Sequence, residues 1–439
     1  MSQRFFDYYR CPRRYSDFGV LEDEMAGEAG YFRFRNLICY GRSTAQGNGR
    51  RDLLPDIASQ VRFDESKCLL PFNPDEVTDN LRLERYANGT SPSLLHKTIR
   101  NLYYTARPML PVSVRRHLQA AWLKGRGEKH FPHWPVDITV DRVFRELMSL
   151  RIQSEGEIPF IWFWPEGKGS AVVMTHDVET RAGVEFMSEL MDINDSYGIK
   201  SSFQIIPEER YSVTEATLST VWERGFEVNV HDLKHDGHLF DDYEQFRSAA
   251  QLINGYAKQF RSKGFRAGVL YRNVEWFGEF RFSYDMSVPN NGHLDPQAGG
   301  CCTVMPYFIG DIVELPVTTI QDYSLFNILN EYSIDLWIQQ IEKIMAENGL
   351  ASFIVHPDYL NTEQARSTYC HLLEHLSELR ANRGAWIALP GDVDQWWRQR
   401  QELQLVQESG KWRIRGEHSD RARLAYASIK DGKVRYRVE

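Results

Sequence analysis

SAVVMTHDVE, residues 170–179, is an apolar run of strand length that ends in His176, Asp177 and Glu179. The pattern recurs along the chain. PFIWFWPEG (159–167), KSSFQII (200–206), GFEVNVH (225–231), FRAGVL (265–270), IVELPV (312–317), ASFIVH (351–356) and AWIALP (385–390) are runs of similar length. Most are separated by stretches with helical periodicity, clearest in MSELMDINDSYG (187–198), YEQFRSAAQLINGYAKQFRSKG (243–264) and SIDLWIQQIEKIMAENG (333–349). Short apolar strands alternating with helices predict a parallel sheet buried on both faces. With seven or eight such runs, a closed or nearly closed (β/α) barrel is expected rather than an open sheet.

Chemistry in such a barrel gathers at the C-terminal strand ends. Those ends carry His176, Asp177 and Glu179 after the first run, His231 and His235 after GFEVNVH, Arg266 in FRAGVL, and His356-Pro357-Asp358 after ASFIVH. In a strand, Asp177 and Glu179 share one face and Val178 takes the other. His231 and His235 stand four residues apart, a spacing that puts both imidazoles on one helical face, close enough to hold one ion. Two neutral imidazoles and a carboxylate make a three-ligand site with a position open to water, the arrangement of a catalytic rather than a structural zinc. A second carboxylate can then take a proton from water, a histidine on another strand can protonate a leaving group, and an arginine can keep the base ionised.

The rest of the chain bounds this reading. At 439 residues it exceeds one ordinary domain, and 42% hydrophobic with 26% charged residues describes a globular chain. A net charge of −8 gives no support to nucleic-acid binding. MSQRFFDYYRCPRRYSDFG (1–19) lacks the uninterrupted apolar stretch of a secretory signal, and no run is long enough to span a bilayer, so a cytoplasmic location is expected. Six scattered cysteines without a CxxC pair fit that compartment as reduced, structural thiols. Residues 1–165 read as an irregular N-terminal α+β region in which YFRFRNLICY (31–40) alternates as a strand. Between Lys97 and Lys129 lie eight basic residues against Glu128 alone, and VSVRRHLQAAWLKGRG (112–127) has helical apolar spacing; this suits either a solvated helix face or peripheral contact with an anionic inner-membrane surface. The tail, 401–439, alternates around Asp431-Gly432 and reads as a small β-hairpin appendage. Trp276, Trp396 and Trp397 offer flat faces either to sugar rings or to a core.

THDVE (175–179), HDLKH (231–235), FRAG (265–268), YD (284–285) and IVHPD (354–358) resemble, in order, the motifs of the NodB-like polysaccharide deacetylases, carbohydrate esterase family four. The resemblance covers residues 166–400 and implies a distorted (β/α) barrel. It also implies a divalent metal, zinc first and cobalt, manganese or nickel as alternatives, used to remove acetyl groups from saccharides. Carried over by position, it makes Asp177 the catalytic base, Glu179, His231 and His235 the metal ligands, Arg266 the residue positioning the base, His356 the general acid and Asp285 the acid that tunes His356. Three positions depart from the common pattern: a DVE triplet replaces adjacent aspartates, Asp232 stands where Ser or Thr is usual, and Gly268 where Pro is frequent. The implied activity is de-N-acetylation of an N-acetylated sugar or polysaccharide precursor. From a cytoplasmic location, a lipid-linked or nucleotide-linked saccharide in exopolysaccharide or envelope assembly follows. A barrel amidase acting on a small non-peptide amide and a catalytically silent glycan-binding protein are the alternatives. Oligomeric state is not legible.

Overall fold

The computed structural model describes residues 1–47, 53–64, 67–90 and 131–439. The basic segment expected as an amphipathic helix between Lys97 and Lys129 lies outside the described residues. Its centre is one curled sheet. Seven strands run parallel in the order β14 (Leu350–Ile354), β7 (Ala171–Val178), β8 (Ser202–Ile205), β9 (Glu227–His231), β10 (Gly264–Arg266), β11 (Tyr284–Asp285) and β13 (Ile312–Glu314). β12 (Tyr307–Ile309) adds an antiparallel edge beside β13, and β15 (Trp386–Ala388) runs along the first half of β7. Helices Arg181–Ser196, Glu215–Glu223, Tyr243–Gln259, Asp335–Ala346 and Glu363–Arg383 lie between these strands in sequence. Their apolar stripes, with Leu190, Met191, Phe246, Ile253, Ile341 and Leu372, share one core with the outward side chains Val172, Met174 and Val178 of β7.

No strand ladder joins β13 to β14. The segment just after β13 closes the gap with hydroxyls instead: Thr318 Oγ1 donates to Leu350 O (2.8 Å) and accepts from Ser352 N (2.9 Å), and Thr319 Oγ1 donates to Ser352 O (2.7 Å). The fold is therefore a distorted (β/α) barrel whose last seam is irregular. Two readings of the sequence shift. PFIWFWPEG does not join the barrel, because its strand β6 (Ile158–Ile161) pairs antiparallel with β18 (Leu424–Lys430). YFRFRNLICY is not one strand but a hairpin, β2 (Gly30–Phe34) and β3 (Leu37–Gly41), with Arg35 in the left-handed region at the turn. The two-residue turn at Arg35-Asn36 shifts the buried set by one position, from Phe32 and Phe34 to Leu37 and Cys39, and that break in the alternation is the trace the hairpin leaves in the sequence.

The tail folds as two hairpins, β16 (Gln404–Glu408) with β17 (Lys411–Arg415) and β18 with β19 (Lys433–Val438), and the second turns at Asp431-Gly432. A second core takes residues from the N-terminal region, from the inner ends of barrel strands and from this hairpin: Phe5, Tyr9, Phe144, Phe160, Trp164, Val173, Trp396 and Ala427 are all buried together. Tyr9 and Tyr436 exchange a 2.8 Å hydroxyl hydrogen bond across it. The six cysteines are unpaired. No helix among the described residues is long and apolar enough to cross a membrane.

One buried ion pair ties the N-terminal region to the barrel. Arg272 Nε donates to Glu84 Oε2 (2.7 Å), its second nitrogen contacts Glu84 Oε1, and Gly300 N also donates to that carboxylate. Arg272→Met, which strands the carboxylate, is expected to cost about 3–5 kcal/mol in chemical denaturation, and Glu84→Gln/Arg272→Met to recover much of it. A single variant within about 0.5 kcal/mol of wild type would refute the role given to the pair.

Candidate active site

Strand register assembles the site. Arg266 ends β10 directly opposite His231, which ends β9, and Asp177, near the end of β7, lies two strands from His231 and three from Arg266. Arg266 is fully buried. Its Nη1 donates to Asp177 Oδ1 (2.7 Å) and Thr175 Oγ1 (2.7 Å), and its Nε donates to Met286 O (3.0 Å). Burial alone would raise the Asp177 pKa; the guanidinium more than offsets that, with His231 and His356 adding to it, and holds the carboxyl below its ordinary value. His176 shows the other side of the strand. Its Nδ1 donates to Val355 O, its Nε2 accepts from Asn194, and burial pushes its pKa down to about 4, so it is a neutral structural imidazole.

Glu179 follows the end of β7 on the face of Asp177. Its Oε1 lies 2.9 Å from His235 Nε2, 3.5 Å from His356 Nε2 and 3.9 Å from His231 Nε2. The candidate ligand atoms of Glu179, His231 and His235 all lie within 4.8 Å of one another. His231 Nδ1 faces the carbonyl of Arg266 (3.1 Å), which can only accept, so this nitrogen carries the proton and the Nε2 lone pair points into the site. Nε2 of His231 and of His235 are both buried without a hydrogen-bond partner. Two orphaned imidazole nitrogens around a carboxylate fit a divalent cation. Glu179 keeps 17% side-chain exposure against 5% or less for Asp177, His231 and His235, so the cluster opens to solvent on the glutamate side.

The pair of histidines does not sit on a helix. Asp232 (φ 58°) and His235 (φ 57°) are both left-handed, which folds HDLKH into a tight loop and brings the ring centroids to 4.8 Å. Asp232 holds that loop: its Oδ1 accepts from Leu233 N (2.6 Å), its Oδ2 from Gly268 N (3.0 Å), and its own N–H donates to Arg266 O (2.8 Å). A Cβ at position 268 would collide with Asp232 Oδ2 and stand 3.0 Å from His235 Cδ2. Proline there would also remove the donor. The two departures from the family pattern, Asp232 and Gly268, are thus one structural unit.

His356 stands at the last seam of the barrel. Its Nδ1 donates to Asp322 Oδ1 (2.6 Å) and its backbone N–H to Asp322 Oδ2 (2.7 Å). Burial would lower the imidazole pKa, but Asp322 and then Glu179 outweigh it and hold the pKa well above the ordinary value. Asp285 is not the partner expected from the sequence. It lies on β11 opposite Glu314 of β13, and both its oxygens accept from Ser287, by backbone N–H (2.6 Å) and hydroxyl (2.9 Å). Burial raises the pKa of both Asp285 and Glu314, so this acid pair belongs to the barrel interior beside Arg266. Trp396 and Trp397 are buried in the second core, and Trp276 stacks on Phe240, so of the two alternatives left open for these tryptophans the structure shows packing.

No protein-family profile and no curated protein matches the sequence. Solved structures with a similar arrangement include a protein of Mycobacterium smegmatis assigned as a polysaccharide deacetylase (19% identity, TM-score 0.43, 54% of this chain and 93% of that one). An allantoinase, Puue, is similar at 11% identity and a TM-score of 0.40, over 53% of this chain and 92% of that one. A CE4 family pseudoenzyme from Bacillus anthracis is similar at 14% identity and a TM-score of 0.32, over 52% and 66%.

Gly268→Ala is expected to cost about 1–3 kcal/mol by overpacking. Placed in an Asp232→Ala background, the same substitution should cost less by at least about 0.5 kcal/mol, measured as a double-mutant cycle. Strict additivity would separate the two positions. On or just past the strand ends of its distorted barrel the chain carries, in order, Asp177, Glu179, His231, His235, Arg266 and His356.

Proposed function

We propose that the chain is a metal-dependent deacetylase of the NodB-like type, removing acetyl groups from the amino groups of a saccharide. The observation that carries the reading is the convergence of Glu179, His231 and His235 within one cluster, flanked on one side by Asp177 paired to Arg266 and by His356 paired to Asp322. A divalent ion held by Glu179, His231 and His235, with zinc suited to two nitrogens and one oxygen, would supply Lewis acidity toward the acetyl carbonyl and toward an attacking water.

The remaining steps belong to the side chains. Asp177 is ionised because Arg266 holds Oδ1, and its Oδ2, 3.7 Å from His231 Nε2, faces the cluster to take the proton of the attacking water. Arg266 cannot take that proton itself and so fixes the base in place. His356, kept protonated by Asp322, presents Nε2 to the same space and donates to the departing amine. Asp322 fixes the tautomer by accepting from Nδ1. Glu179 with its longer side chain reaches the two histidines from the residue after the strand. The substrate class is an N-acetylated saccharide, lipid-linked or nucleotide-linked if the chain works inside the cell.

Acetate release from N-acetylated oligosaccharides by the metal-loaded protein tests the reading. Asp177→Asn and His356→Ala should each lower kcat about 10²–10⁴-fold without loss of metal. Because the pKa of His356 is held above that of an ordinary imidazole, activity should persist through neutral pH with its alkaline fall set by His356, and Asp322→Asn should move that fall to lower pH. Unchanged turnover in Asp177→Asn or His356→Ala would sink the mechanism.

A further inference from the structure

The loop PEERY, residues 207–211 after β8, fastens two of the candidate ligands from outside the cluster. β7 and β8 pair in register as far as Val178 opposite Ile205. In a parallel ladder the next bond would run from Ile206 N to Val178 O. A phenol stands between those two partners instead. Tyr211 Oη accepts from Ile206 N (2.9 Å) and donates to Val178 O (2.5 Å). The ladder is therefore held open by one oxygen at the residue before Glu179. Val178 O lies in the same planar peptide as Glu179 N, so the hydroxyl that holds this carbonyl fixes the plane from which Glu179 leaves the strand. Burial first, and then the charges of Glu179 and Asp177, hold the Tyr211 hydroxyl pKa above its ordinary value, so the group stays a donor.

The neighbouring residue holds the other ligand. Arg210 Nε donates to Lys234 O (3.1 Å), its Nη2 donates to His235 O, and Glu208 N donates to Leu233 O (3.1 Å). Three successive carbonyls of HDLKH are thus taken by donors from 208–210. Lys234 Nζ pairs with Glu209 Oε1 (2.6 Å), and Glu208 Oε1 accepts from Tyr256 (3.0 Å) on the helix Tyr243–Gln259, which ties the brace to the outer layer. The planar fork of arginine suits two adjacent carbonyls in a way that a single ammonium does not.

We propose that Tyr211 and Arg210 are positioning residues for the divalent ion, the phenol setting where Glu179 stands and the guanidinium where His235 stands. One short loop then gauges the separation of ligands that come from two different strands. The inference rests on the reading of Glu179, His231 and His235 as a metal site. Groups that orient ligands in this way govern affinity and coordination geometry without touching the ion.

The probes are zinc and cobalt(II), used with the full chain and with Tyr211→Phe, Arg210→Ala and Arg210→Lys. Competition against a chromophoric chelator should show zinc held about 10–100-fold less tightly in Tyr211→Phe and in Arg210→Ala, with part of the loss recovered in Arg210→Lys. The visible bands of bound cobalt should shift in Tyr211→Phe, a change in ligand geometry that a general loss of stability does not produce. A crystal structure of that variant should show Ile206 N bonded directly to Val178 O and the Glu179 carboxylate displaced. Arg210 is exposed, so its variants keep the fold even if Tyr211→Phe does not. Wild-type zinc affinity with unchanged cobalt bands in the variants would overturn the positioning role and leave the metal site standing. A wild-type chain that takes up neither ion would overturn both.

Discussion

Everything at the mouth of the barrel hangs on the buried guanidinium and carbonyl of Arg266. The side chain joins Asp177 and Thr175 on β7 to Met286 past β11, and the carbonyl accepts from both the His231 ring and the Asp232 backbone. A charge out of water is tolerated only with partners of matched geometry, and the planar fork of arginine supplies several donors at fixed angles. The same residue therefore keeps Asp177 ionised, sets the tautomer of His231 and anchors the loop that carries His235. Asp285 and Glu314 sit beside it, raised by burial, so the positive charge lies between one carboxylate held ionised and two pushed toward neutrality.

Much of this was legible because strands and their ends obey local rules. The alternation in THDVE put Asp177 and Glu179 on one face, and the strand-like run before His231 and His235 put both at an end, where the structure has them. What the sequence hid follows from distance along the chain. Asp322 lies in VTTIQD, the stretch that closes the barrel with threonine hydroxyls instead of a ladder, so no strand end announced it; the resemblance of the YD motif drew the assignment to Asp285. The histidine pair was legible as a pair but not as a loop, because left-handed conformations at Asp232 and His235 leave no periodic trace. Tryptophans carry no label for depth. Trp396 and Trp397 proved to be core, while Trp134 keeps 40% of its surface exposed.

The N-terminal region and the tail are joined to the barrel rather than appended to it. β6 takes its partner from β18, Tyr9 bonds Tyr436, and Glu84 neutralises Arg272 at the barrel rim. The segment before the long helix is bonded in the same way, Asp137 O and Pro135 O accepting from Asn290, Asn291 and Gln340 of the barrel.

The central claim is that the buried Nε2 atoms of His231 and His235 and the carboxylate of Glu179 exist to hold a divalent ion. Metal content of tag-free protein, before and after chelation and reconstitution with zinc or cobalt, measured beside a His231→Ala/His235→Ala variant, addresses it without needing the right sugar. The account predicts about one ion per chain, lost in the double variant while the fold persists. No bound ion after reconstitution, or equal binding by the variant, would contradict it.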